Sequence, residues 1–113
     1  MVQSFSPDDP LSLTFAALAH PVRRKMLSLL KEGQSSVKEL AKPFSMSAPA
    51  ITKHLKVLEK AGLIVRSHEA QYRPAEIQMK PLKEVDKWIE EYRQFWTGTF
   101  NRLDKYIDEL KEN

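Results

Sequence analysis

Residues 45–62, SMSAPAITKHLKVLEKAG, constrain this chain more than any other stretch. Ile51, Leu55 and Leu58 recur at helical spacing and form one apolar stripe, so the segment needs a core to pack on. The other side carries Thr52, Lys53, Lys56 and Lys60, with no acidic residue among them. Ser47 is suited to cap the helix, Pro49 is tolerated in its first turn, and Gly62 supplies the stop. A short helix with one apolar and one basic side suits the major groove of DNA. Just before it, SVKELAK (36–42) predicts a shorter helix in which Ser36 and Glu39 form an S-x-x-E capping box. Val37, Leu40 and Ala41 make its buried side, and Pro43 ends it. Two helices joined by a tight turn, the second one basic, is the pattern of a helix-turn-helix.

The rest of the chain frames this motif. Residues 9–19 predict a first helix, with Asp9 as N-cap, Pro10 at the first position, and Leu11, Phe15 and Leu18 on one apolar face. A second helix is expected from Pro21 to Lys31, with Val22, Met26, Leu29 and Leu30 inward and Gly33 as its C′ stop. His20, just before Pro21, reads as a capping or turn residue. After Gly62 the pattern changes. LIVRS (63–67) and YRPAEIQM (72–79) are candidate strands joined over 68–71, a small hairpin or wing in which Pro74 argues for an edge.

Residues 81–111 predict one long helix. Leu82, Val85, Ile89, Tyr92, Trp96, Thr99, Leu103, Tyr106 and Leu110 keep 3-4-3-4 spacing, the mark of a coiled-coil-like seam. Trp88, Phe95 and Ile107 form a second stripe beside it, and Phe100 lies off both. Gly98 in mid-helix allows two readings, a close approach of another backbone or a kink. The expected fold is thus mainly α with a small β-hairpin: a winged helix-turn-helix of five helices in the order α, α, α, α, β, β, α. One domain over 1–113 is expected, with 9–19 and 81–111 as dimerisation helices, 36–62 as the helix-turn-helix and 63–79 as the wing.

Charge supports the same reading. The net charge of +3 conceals a basic middle: residues 20–73 carry eleven Lys/Arg against four Glu, while each flank is net acidic. Such asymmetry is what phosphate attraction requires, although a solvated basic surface looks the same in a charge count. The absence of cysteine excludes disulfides and thiolate metal sites. The three histidines lack close ligand spacing, so no metal or other cofactor is expected. Three glycines leave no phosphate-cradling loop, and no nucleophile or carboxylate–histidine constellation appears, so an enzyme is not expected. The start, MVQSFSPDDP, is unlike a signal peptide, and no apolar run reaches the ~18 residues of a membrane span; a cytoplasmic protein is expected.

FAALAHPVRRKMLSLL (15–30), SVKELAKPFSMSAPAITKHLKVLEKAGLIVRS (36–67) and YRQFWTGTFNRLDKYI (92–107) together resemble the ArsR/SmtB-type winged-helix repressors. The resemblance implies a homodimeric transcriptional repressor that binds double-stranded operator DNA. Metal-sensing members of that family carry a CxC-type motif in the third helix and Asp, His or Glu ligands on the last. Here the third helix reads VKELAKPF and the last contains no histidine, so those metal sites do not carry over. The tail is similar to that of a metal-independent branch.

Site residues follow from the recognition-helix reading. Thr52 and Lys53 are placed to meet base edges, and the small Ala48 and Pro49 to touch thymine methyls. Ser47 is a cap or a reader. Lys56, Arg66, Gln71 and Arg73 are candidate phosphate or minor-groove contacts from the helix and wing, and Ser36, Lys38 and Lys42 are weaker ones. His54 is either a DNA contact or a half-buried histidine with a satisfied hydrogen bond. Arg23 and Arg24 are equally readable as structural. Leu11, Phe15, Leu18, Trp88, Ile89, Tyr92, Phe95, Trp96, Leu103 and Tyr106 are assigned to a dimer interface, with an effector pocket among the aromatics as the other reading. The alternative function is a winged-helix protein-interaction module without specific DNA binding.

Overall fold

A computed structural model describes residues 6–33, 35–67 and 74–112. Its elements run α1 (Pro10–Leu18), α2 (Pro21–Leu30), α3 (Val37–Ala41), α4 (Ala48–Lys60), β1 (Ile64–Arg66), β2 (Ala75–Ile77) and α5 (Lys80–Glu112). This is the winged helix-turn-helix order read from the sequence. Residues up to Lys83 form one compact unit and residues from Glu84 another.

In the first unit the core is Ala17, Met26, Leu27, Leu30, Leu40, Ile51, Leu55, Leu58, Leu63, Ile64 and Ala75. The stripe of α4 is buried as its spacing requires: Ile51, Leu55 and Leu58 are fully excluded from solvent. The six residues between α3 and α4 are held from inside, because Phe44 and Met46 pack on this core while Ser45 faces out. On α1 the buried residues are Thr14 and Ala17, whereas Leu11 and Leu18 are half-buried and Phe15 is 38% exposed. Small side chains let α1 lie close to its neighbours, and the Thr14 hydroxyl is satisfied by donating to the Pro10 carbonyl at 2.9 Å. On α2, Leu27 joins Met26 and Leu30 in the core, while Val22 and Leu29 are only half-buried.

The caps place the helix ends. Asp9, His20, Ser36 and Ser47 each accept a backbone N–H at the start of α1, α2, α3 and α4. The expected capping box of α3 is only half made. The Ser36 hydroxyl accepts from Glu39 N at 3.2 Å, but the Glu39 carboxylate pairs with Lys42 at 3.0 Å instead of reaching back. Gly33 is not the C′ residue of α2. The helix ends at Leu30 with Lys31 as C-cap, which leaves Gly33 two residues further on with φ +141°. Gly62 does follow the C-cap of α4, at φ +76°. Its N–H donates to Glu59 O (2.9 Å) and that of Leu63 to Leu58 O (3.0 Å), a Schellman ending in which buried Leu58 and Leu63 supply the apolar contact. Gly62→Ala is expected to cost about 1–2 kcal/mol, because an L-residue is strained in the left-handed region. A Cβ there meets only Pro81 Cγ at an ordinary 3.5 Å, so the cost is in the backbone. A urea midpoint equal to that of the parent would contradict this.

The wing strands are shorter than the sequence suggested and pair antiparallel, with Ile64 opposite Ile77 and Arg66 opposite Ala75. The connection at 68–73 lies outside the described residues. Pro74 precedes β2, and its carbonyl accepts from Ser67 N at 3.1 Å. The edge placement inferred from Pro74 needs correction at Ala75. That residue also bridges to Ser35 on its other side, with reciprocal N–H···O bonds of 3.0 and 2.7 Å. Proline is accommodated because it stands one residue before the two-sided pairing begins.

Helix α5 is continuous through Gly98, where an added Cβ meets nothing within 4 Å.

Candidate nucleic-acid interface

Helix α4 is locked on one side and open on the other. Thirteen residues make a rod of about 20 Å, and a helix with side chains matches the ~12 Å width of the major groove. With Ile51, Leu55 and Leu58 buried, the opposite surface at the N-terminal half presents Ala48, Pro49, Thr52, Lys53 and Lys56, which together line one shallow depression. Five of the expected DNA-contacting residues are thereby brought together. Lys53 and Lys56 are exposed, Thr52 is half-buried, and no carboxylate lies in this lining. Ser47, although exposed, spends its hydroxyl on Ala50 N at 3.3 Å, which makes it a cap.

Two further candidate contacts, His54 and Arg66, are half-buried. His54 is half-buried, and its Nδ1 lies 3.1 Å from Arg23 Nη1. Its ring stands 4.4 Å from that of His20. This is the geometry of a half-buried histidine with a hydrogen bond: the ring is engaged by α2 and lies outside the lining shared by Lys53 and Lys56. Burial, followed by the nearby His20, Arg23 and Lys53, holds its pKa below the usual histidine value. Arg66 follows Ile64 on the same face of β1; it is half-buried, and its Nε is buried without a hydrogen-bond partner among the described residues. Gln71 and Arg73 lie outside the described residues.

Arg23 and Arg24 have structural roles. Arg23 donates through Nε to Ala17 O (2.7 Å) and through Nη2 to Ala16 O (2.9 Å), and Arg24 Nη1 donates to Leu18 O (2.7 Å). Two cations thus bond the carbonyls at the C-terminal end of α1, where the helix dipole also favours them. Cationic residues just after a predicted helix end were the signal in the sequence.

In the second unit, Trp88, Ile89, Tyr92, Phe95, Trp96 and Thr99 line an open apolar strip along α5. Phe95 is 73% and Trp96 46% exposed, and the Trp88 and Tyr92 rings are 4.8 Å apart. Leu103 and Tyr106 continue the exposed apolar surface toward the C-terminus. Arg93, which is off this strip, pairs with Asp86 at 2.8 Å and with Glu90. Among the described residues no cluster of His, Asp or Glu is arranged to hold a metal ion, and no helix is long and apolar enough to cross a membrane.

A core-locked helix-turn-helix followed by a hairpin defines the class: a winged helix-turn-helix protein. Residues 20–65 match the arsR family of bacterial regulatory proteins. The chain is 32% identical over 75 residues to the transcriptional repressor SdpR of Bacillus subtilis, covering 66% of this chain and 83% of that one. It is 30% identical over 92 residues to the HTH-type transcriptional regulator Rv2034 of Mycobacterium tuberculosis, covering 81% and 83%. The crystal structure of an ArsR family transcriptional regulator superposes with a TM-score of 0.74 at 37% identity, covering 79% of this chain and 98% of the other. The chain belongs to the arsR family and is a transcriptional regulator.

Proposed function

We propose that this protein is a cytoplasmic, homodimeric repressor that occupies promoter DNA. The observation that carries the reading is the acid-free surface of α4 lined by Ala48, Pro49, Thr52, Lys53 and Lys56, held outward by a fully buried opposite side. In this reading Thr52 and Lys53 meet base edges, Ala48 and Pro49 touch thymine methyls, and Lys56 meets phosphate. Two copies pair through the apolar seam of α5 with help from Leu11, Phe15 and Leu18 of α1. Their α4 helices then enter successive major grooves of a two-fold operator, with half-sites about 34–36 Å apart. Repression needs only occupancy, and the repressor SdpR among the relatives supports that direction.

The test is selection of bound duplexes from a random pool by the purified protein, followed by affinity measurements at several salt concentrations. A two-fold consensus with a steep loss of affinity as salt rises is expected. Salt-insensitive binding with no consensus would point to a protein-binding winged helix instead. Lys53→Ala is expected to lose about 1–3 kcal/mol of specific binding and to relax base preference at one position of each half-site. Unchanged affinity and selectivity in that variant would remove α4 as the reading helix.

A further inference from the structure

We propose that Arg23 and His54 form a latch that holds α4 in its DNA-reading pose, and that protonation of His54 opens it. This rests on the reading of α4 as the DNA-contacting helix. Arg23 extends from α2 and uses its fork in two directions. Nε and Nη2 grip the carbonyls of Ala17 and Ala16 at the end of α1, and Nη1 reaches His54 on α4 at 3.1 Å. A guanidinium has only donors, so His54 Nδ1 accepts and the ring proton sits on Nε2. One side chain thereby ties three helices together, and its hydrogen bond to α4 rests on a lone pair that a proton removes. Lys53 directly precedes His54, so a loss of this tie acts where α4 presents its reading surface.

Among the described residues, no carboxylate acts on the ring as a counterion. From α2 and its cap come Arg23 and His20, the latter with its own Nδ1 accepting from Val22 N at 3.1 Å; Lys53 acts from α4 itself. From α1 come carbonyls alone, since Pro10–Leu18 contains no charged residue. The charged residues of α3 are Lys38 and Glu39, with Glu39 paired to Lys42, and β1 contributes only Arg66; none of these acts on the ring. Protonation would therefore set an N–H against an N–H beside a fixed guanidinium. The depressed pKa gives the sign: the latch is closed and stabilising above about pH 6.5, the unfolded value, and is lost as pH falls through the lower folded value.

The test compares the parent with His54→Asn, whose Oδ1 can stand where Nδ1 stood but does not titrate. Affinity for a duplex selected by the protein and for an unrelated duplex is measured from about pH 8 to about pH 5 at constant ionic strength. Their ratio cancels the general attraction that an added positive charge brings. For the parent, this ratio is expected to hold through pH 6.5 and to fall only as pH approaches the ring's own, lower pKa, nearing tenfold per pH unit below it. For His54→Asn it should stay flat. A flat parent profile, or superimposable profiles, would overturn the latch. A second arm needs no DNA: the His54 ring is titrated by NMR in the free protein while exchange of the α4 amides is followed. Loss of α4 protection, corrected for intrinsic rates and in step with that titration in a chain still folded by circular dichroism, supports the latch, and constant protection refutes it. If no duplex is selected at any pH, the DNA reading fails while this arm still decides the latch.

Discussion

Trp96→Asp is expected to convert the protein to a monomer in sedimentation and to abolish tight operator binding. Trp96 lies in the middle of the apolar strip of α5 and is 46% exposed in the single chain. A strip of this extent on a water-exposed helix calls for a cover. If a second copy supplies it, the aspartate must be dehydrated on association without a partner, and the contact area of an indole is lost as well. Several kcal/mol are at stake, so the dimer dissociation constant should rise at least about a hundredfold. Operator affinity should fall with it, because a monomer holds one half-site only. The folded state of the first unit should survive, with its circular dichroism unchanged. An unaltered dimer would show that the seam lies elsewhere.

Leu55→Ala is expected to destabilise the fold by about 2–5 kcal/mol. Leu55 is fully buried among Met26, Leu30, Ile51 and Leu58 in a unit whose core has few members. Domains of this kind hold roughly 5–15 kcal/mol in total, so the loss should be visible as a large drop in the urea midpoint. The exposed lysines are untouched, so the surviving folded fraction should still bind DNA with the parent's base preference. A shift below about 1 kcal/mol would mean that the α4 stripe does not carry the core. Set against Lys53→Ala, the pair separates the two sides of one helix: one variant should lose stability and keep selectivity, the other the reverse.

Helix α4 was readable almost to the residue because its signals are local. Ser47 caps it, three leucine or isoleucine residues at helical spacing bury one side, and a left-handed glycine ends it. The same locality explains the errors. A short helix touched on more than one side buries residues outside its best apolar stripe, as Leu27, Thr14 and Ala17 show. Glu39 had two possible partners within a turn of itself, and spacing could not choose between the Ser36 backbone and Lys42. Ser35 and Ala75 are forty residues apart, so their pairing leaves no local trace.

For the candidate interface the division is similar. Ala48, Pro49, Thr52, Lys53 and Lys56 share an outward surface because helix geometry alone puts them opposite the buried stripe, and that was determined by the sequence. The apolar seam of α5 and the absence of cysteine were likewise legible without a structure. Only the tertiary structure decided that His54, next to Lys53 in the chain, turns away from that surface toward Arg23, thirty-one residues earlier. The physical reason is that periodicity assigns a residue to a side of its helix, whereas the partner that claims a polar side chain at the boundary is chosen by the neighbouring helices.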